Sequence, residues 1–150
     1  MTRSGSLSRF SYKLAAGDAE LQEAFEVRRQ VFVREQGIPE DPVFDGHDSE
    51  ALHIVAKDRE RVVGSARFRF LTDNRVKLER MAILKRYRRK GIGKEMLLFL
   101  DALWKDKRMQ QVIIHAQLEV VPFYESCGFD QVGPPFQEAG IEHIRMLKQL

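Results

Sequence analysis

The sequence holds little of what marks several common functional classes. Cysteine occurs once, at Cys127, which excludes an internal disulfide framework and fits a reducing, cytoplasmic setting. No apolar run reaches about 18 residues, so neither a membrane-spanning helix nor a membrane partner is expected. Residues 1–9 are polar and serine-rich, lack the apolar centre of a secretory signal, and are expected to form a flexible N-terminus. His47, His53, His115 and His143 have no metal-ligand spacing and no cysteine cluster beside them, so no metal site is expected. Charge is nearly balanced: 25 Lys and Arg against 22 Asp and Glu leave a net charge of +3. That excess suits a small anionic ligand and does not call for nucleic acid as a partner.

What is present is enough apolar material for a core. Hydrophobic residues make up 43% of the 150 residues, and no linker or repeat divides the single domain expected over 10–150. Residues 10–14 read as a strand. Asp18 reads as the N-cap of a helix whose buried stripe is Leu21, Phe25, Val31 and Phe32, ended by Gly37 and Pro39. Residues 38–50 read as a loop carrying Glu40, Asp41, Asp45, Asp48 and Glu50. Segments 52–56, 62–71 and 76–84 read as strands joined by short turns, hence an antiparallel meander. In the second of them Ala66, Phe68 and Phe70 alternate with Arg67 and Arg69. Residues 111–117 form a strand that follows a helix and should therefore run parallel to its neighbour. Further on, 129–132 is extended, Gly133-Pro134-Pro135 is a break, 136–140 is a loop and 141–147 is a last strand.

The most informative stretch is the strand ending at Ile83 followed by Arg88-Arg89-Lys90-Gly91-Ile92-Gly93-Lys94. A strand, a basic turn and a glycine-rich helix entry leave backbone N–H groups unpaired at the positive end of the helix dipole. Such a turn cradles phosphate, and glycines let it approach the main chain. The following helix is amphipathic, with Ile92, Met96, Phe99, Leu100, Leu103 and Trp104 at helical spacing.

This segment resembles the acetyl-CoA motif of the GNAT superfamily, Arg/Gln-x-x-Gly-x-Gly/Ala, matched here by Arg88 through Gly93. A second block, Val121-Pro122-Phe123-Tyr124-Glu125-Ser126-Cys127-Gly128-Phe129, resembles the family's A-x-x-F-Y-x-x-x-G-F segment. The R-x-x-V-F-x-x-E-Q-x-x-P pattern from Arg28 to Pro39 is similar to that of small bacterial ElaA/YjcF-like members. The resemblance implies an α/β fold, a mixed and mostly antiparallel central sheet flanked by helices, with coenzyme A wedged where two central strands splay. It implies N-acetyl transfer from acetyl-CoA to the primary amine of a small molecule, a cationic one if the acidic loop attracts it. It admits a homodimer.

Site roles follow from the same resemblance. Met81, Ala82 and Ile83 would meet the acyl and pantetheine portion through their backbone, and Arg88, Arg89, Lys90, Gly91, Ile92, Gly93 and Lys94 would hold the phosphates. Gln117 would complete the cofactor contacts. Tyr124 would protonate the departing thiolate. Glu79 would be the general base, sharing a face with Met81 on a regular strand; Glu35 and His115 are the rivals. A structural glutamate paired with Arg67 or Arg69 is the plain alternative for Glu79. At the level of the whole protein the alternative is a domain that senses acyl-CoA without catalysis.

Overall fold

The computed structural model describes residues 9–150. The flexible N-terminus expected over 1–9 therefore lies, apart from Arg9, outside the described residues. Seven strands form one sheet in the order β1-β2-β3-β4-β5-β7-β6. They are β1 Phe10–Leu14, β2 Leu52–Asp58, β3 Arg61–Phe70, β4 Arg75–Ile83, β5 Gln111–Gln117, β6 Asp130–Glu138 and β7 Ile141–Gln149. Every pairing is antiparallel except β4 with β5, whose connecting helix makes them parallel. The expected meander of β2, β3 and β4 is present.

Helices cover both faces. Helix α1, Gly17–Arg28, continues without a break into a wider π-helical stretch, Arg29–Glu35. Its N-cap is Ala16 rather than Asp18, and the Glu20 carboxylate accepts the Ala16 N–H at 2.8 Å. A short helix α2, Glu40–Val43, follows. On the opposite face α3, Ile92–Asp106, buries Ile92, Met96, Leu97, Leu100 and Trp104 against the sheet. Trp104 meets Phe68 edge-on at 5.5 Å between ring centroids. Helix α4, Val121–Ser126, packs beside the start of α3, where a Cβ on Gly93 would lie 3.0 Å from Phe123.

Two strands, β6 and β4, depart from the sequence reading. The Gly133-Pro134-Pro135 segment does not end a strand: it is a register shift within a continuous β6. Proline is tolerated there because β6 is the sheet edge and loses no ladder donor. The supposed loop at 136–140 reduces to the two-residue hairpin turn Ala139-Gly140, both at positive φ (53° and 76°).

The second departure is a bulge in β4. Ser65 opposes Ala82 while Arg67 opposes Glu79, so β4 carries an extra residue, and Arg80 takes φ 58°. Regular alternation fails here, and Glu79 and Met81 do not share a face. Glu79 pairs with Arg67 on the α1 side, whereas the Met81 sulfur meets Tyr124 of α4.

Candidate active site

The site begins where the central ladder stops. β4 and β5 pair only through Arg75–Gln111, Val76–Val112 and Lys77–Ile113. Beyond Lys77 the pairing stops, so among the described residues the β4 edge from Leu78 to Ile83 has no strand paired on that side. An unpaired edge presents main-chain donors and acceptors to an extended ligand. Met81, Ala82 and Ile83 lie along it, with Ala82 buried and the other two partly so. Gln117 closes the far end of β5, where its amide donates to Gln36 Oε1 at 2.9 Å.

At the mouth of this opening the chain turns through Lys85–Tyr87 and enters α3. Gly91 sits at the N-cap with φ 84°, a left-handed conformation that favours glycine. Among the described residues, none beyond its two chain neighbours comes within 4 Å of where its Cβ would stand, so the turn has room for a ligand. The first bond of the turn runs from Glu95 N–H to the Gly91 carbonyl, which leaves the N–H groups of Ile92, Gly93 and Lys94 without an intrahelical acceptor. Arg89, Lys90 and Lys94 are exposed around them.

Arg88 behaves differently from the mobile cation expected of it. It donates to the Ile83 carbonyl at 2.9 Å and, through both terminal nitrogens, to Glu35 at 2.7 and 2.8 Å. It therefore ties the turn to the end of the π-helical stretch. Gly93 also has a different use: its missing Cβ makes room for Phe123, not for a ligand.

Tyr124 is buried against Phe123 and Phe129, with ring centroids 5.1 and 5.5 Å away. Its hydroxyl points at Met81 Sδ, 3.5 Å away, at the splayed edge. Burial pushes its pKa well above the ordinary value, so the phenol keeps its proton at neutral pH.

Glu79 stands in a very different environment. Its carboxylate meets Arg67 and Arg69 at 3.0 Å each and Lys77 at 3.4 Å. Burial would raise its pKa, but the Arg69 hydrogen bond and the charges of Arg67 and Lys77 outweigh that and hold it at about 2. Glu35 is occupied by Arg88, which lowers its pKa too. A carboxylate so stabilised as an anion is a weak proton acceptor.

The acidic loop is likewise neutralised from within. Asp45 binds Arg67 and Arg80, Asp48 binds Arg28 and Arg67, and Glu50 pairs with Arg69 and His47. Arg67 and Arg28 are 0% and 2% exposed. The sheet face that carries Arg67 is covered by the loop, and the arginines clamp loop to sheet. Little uncompensated charge remains there to draw a cationic acceptor.

The model of the acetyltransferase (GNAT) domain family matches residues 18–150. The chain belongs to the GNAT acetyltransferase family. It is 37% identical to the uncharacterized N-acetyltransferase YjcF of Bacillus subtilis over 136 residues, covering 90% of this chain and 96% of that protein. Escherichia coli ElaA has the same fold, with a TM-score of 0.82 at 24% identity over 93% of this chain and 99% of its own. So does the PaiA N-acetyltransferase of Thermoplasma acidophilum, solved in complex with coenzyme A: TM-score 0.73, 17% identity, 94% and 99% coverage.

Within this GNAT frame, one pair went unseen in the sequence. His115 Nδ1 lies 3.0 Å from Glu138 Oε1, which joins β5 to the end of β6. Glu138 was hidden by reading 136–140 as a loop. The Ala-Gly dipeptide between two extended runs was the signal for a hairpin that places it. Among the described residues, no three His, Cys, Asp or Glu side chains come together as a metal site.

Proposed function

We propose that the chain transfers an acetyl group from acetyl-CoA to the primary amine of a small molecule. The observation that carries this reading is the alignment of one unpaired β4 edge with an open, basic helix N-terminus at one end and the Tyr124 hydroxyl at the other. The residues fit the cosubstrate. The N–H groups of Ile92, Gly93 and Lys94, with Arg89, Lys90 and Lys94 around them, suit the pyrophosphate. The main chain at Met81–Ile83 suits an extended amide-bearing arm, and a backbone N–H there can donate to the oxyanion that develops on the thioester oxygen. Tyr124, protonated and aimed at the edge, gives a proton to the departing thiolate. The PaiA relative, solved with coenzyme A, supports the same ligand class here.

The test is release of free thiol from acetyl-CoA in the presence of spermidine, histamine, tyramine or glycylglycine, with wild type and Tyr124→Phe. Amine-dependent thiol release that falls in the variant while acetyl-CoA still binds supports the reading. Tight acetyl-CoA binding with no amine-dependent release contradicts it and leaves a non-catalytic acyl-CoA sensor.

A further inference from the structure

His115 lies two residues past the last β4–β5 pair, on the same face as Ile113 and Gln117. Across the opening, Lys77 and Glu79 hold the same face of β4, so the imidazole borders the splay where an acceptor amine must enter. Among the described residues, the other titratable or charged groups beside it are Glu138 on β6 and, on β7, the directly opposed Arg145 and the nearby His143.

One aromatic edge contact and one hydrogen bond hold the ring. Phe136 meets His115 edge-on at 5.0 Å and stacks on His143 at 6.0 Å with 28° between planes. His143 is only 7% exposed, and its Nδ1 donates to the Ile141 carbonyl at 2.7 Å, so this wedge is fixed. An ionised carboxylate can only accept, which puts the proton of His115 on Nδ1 and the lone pair on Nε2. The His115 hydrogen bond lowers the Glu138 pKa, and Glu138 stays ionised.

We propose that His115 is the general base of the acetyl transfer and that Glu138 is its positioning residue. This rests on the acetyltransferase reading above. Imidazole exchanges protons near neutral pH, whereas Glu79 is locked as an anion among three cations. As the nitrogen of a neutral amine bonds to the acetyl carbon and the carbon–sulfur bond breaks, Nε2 of His115 takes the N–H proton that the amide loses. Tyr124 supplies a proton to sulfur. The imidazolium then returns its proton, through solvent, to the phenolate, and both groups are restored.

Two measurements test this. Long-range proton–nitrogen spectra of histidine-labelled protein, assigned with His115→Gln, should show His115 protonated at Nδ1, and Glu138→Gln should disturb that tautomer. A ring protonated at Nε2 overturns the proposal, whatever the enzyme turns over. In thiol-release assays with the best of the four amines, His115→Ala should lose about 100-fold in kcat/KM, in the range of general-base catalysis. Acetyl-CoA affinity should stay within about twofold, and added imidazole should restore part of the rate to this variant but not to Glu79→Gln. Glu138→Gln should lower kcat about tenfold while acetyl-CoA affinity stays within about twofold, because the ring loses the bond that fixes its tautomer. Full activity in His115→Ala overturns the base assignment and leaves acetyl transfer standing. Absence of turnover in wild type fails the acetyltransferase reading itself, and the base assignment with it.

Discussion

Arg88 and Glu35 are joined by two parallel hydrogen bonds of 2.7 and 2.8 Å, so the residue that opens the Gly-x-Gly motif is held by the protein itself. The motif arginine anchors the loop, and Arg89, Lys90 and Lys94 supply the exposed charge. Arg89→Ala and Lys90→Ala should therefore each weaken coenzyme A binding several-fold at low salt, with the difference shrinking as salt screens the surface. Glu35→Gln should instead lower thermal stability by at most about 1 kcal/mol, since the pair is about one-third exposed, with little effect on affinity. Isothermal calorimetry at two salt concentrations, with thermal melts, separates the two behaviours.

The two glycines of the motif should separate in the same way. Gly91→Ala places a Cβ in open ligand space at φ 84°, at a conformational cost of about 1 kcal/mol, and should lose coenzyme A affinity. Gly93→Ala drives a Cβ to 3.0 Å from Phe123 and should destabilise the fold by about 1–3 kcal/mol. Combining Gly93→Ala with Phe123→Leu should recover stability. Denaturant unfolding and calorimetry on the same variants check both halves.

The buried arginine clamp predicts an acid limit. Glu79 and Asp45 have depressed pKa values in the folded state, Asp45 chiefly through its hydrogen bonds to Arg67. For depressed carboxyls the stabilisation is complete above the unfolded values of 4.5 and 3.8 and is lost as pH falls through the folded values. Stability should hold from neutrality to about pH 5 and then decline toward about pH 2, the folded value of Glu79. Arg67→Met should cost about 3 kcal/mol at pH 7, because it removes the buried cation shared by Asp45, Asp48 and Glu79 and leaves each with its outer partners only. It should also flatten the acid decline. Urea midpoints across this pH range measure both effects.

Tyr124→Phe removes one hydroxyl whose contact is the Met81 sulfur, so folding stability should fall by no more than about 1 kcal/mol. The kcat should fall by a factor of about 100 or more while the acetyl-CoA dissociation constant changes little. A kcat unchanged beside an altered dissociation constant would make Tyr124 a binding residue only.

Much of the fold was legible because the strand and helix periods of the chain are clean. The apolar stripe from Ile92 to Trp104 and the three-strand meander each match a single secondary structure, and a helix between β4 and β5 forces the one parallel pair. The candidate site was legible in its backbone: the strand, the basic Gly-x-Gly turn and the amphipathic helix stand in the order expected. Side-chain roles were less so. A bulge at Arg80 shifts strand parity by one, which no alternation rule anticipates, and it carries Glu79 away from Met81. The burial of Arg67 was not legible because it depends on a loop about 20 positions earlier folding back over it. His115 was visible on its strand, but its partner Glu138 comes close only through the β6–β7 hairpin.

The most direct measurement is a calorimetric titration of acetyl-CoA and dephospho-coenzyme A into wild type and Gly91→Glu. Saturable wild-type binding of acetyl-CoA that disappears when a bulky anion is placed in the open turn is the expected result. Absence of measurable binding to wild type, or equal binding to both proteins, would contradict the assignment of the α3 N-terminus and the β4 edge as the acetyl-CoA site.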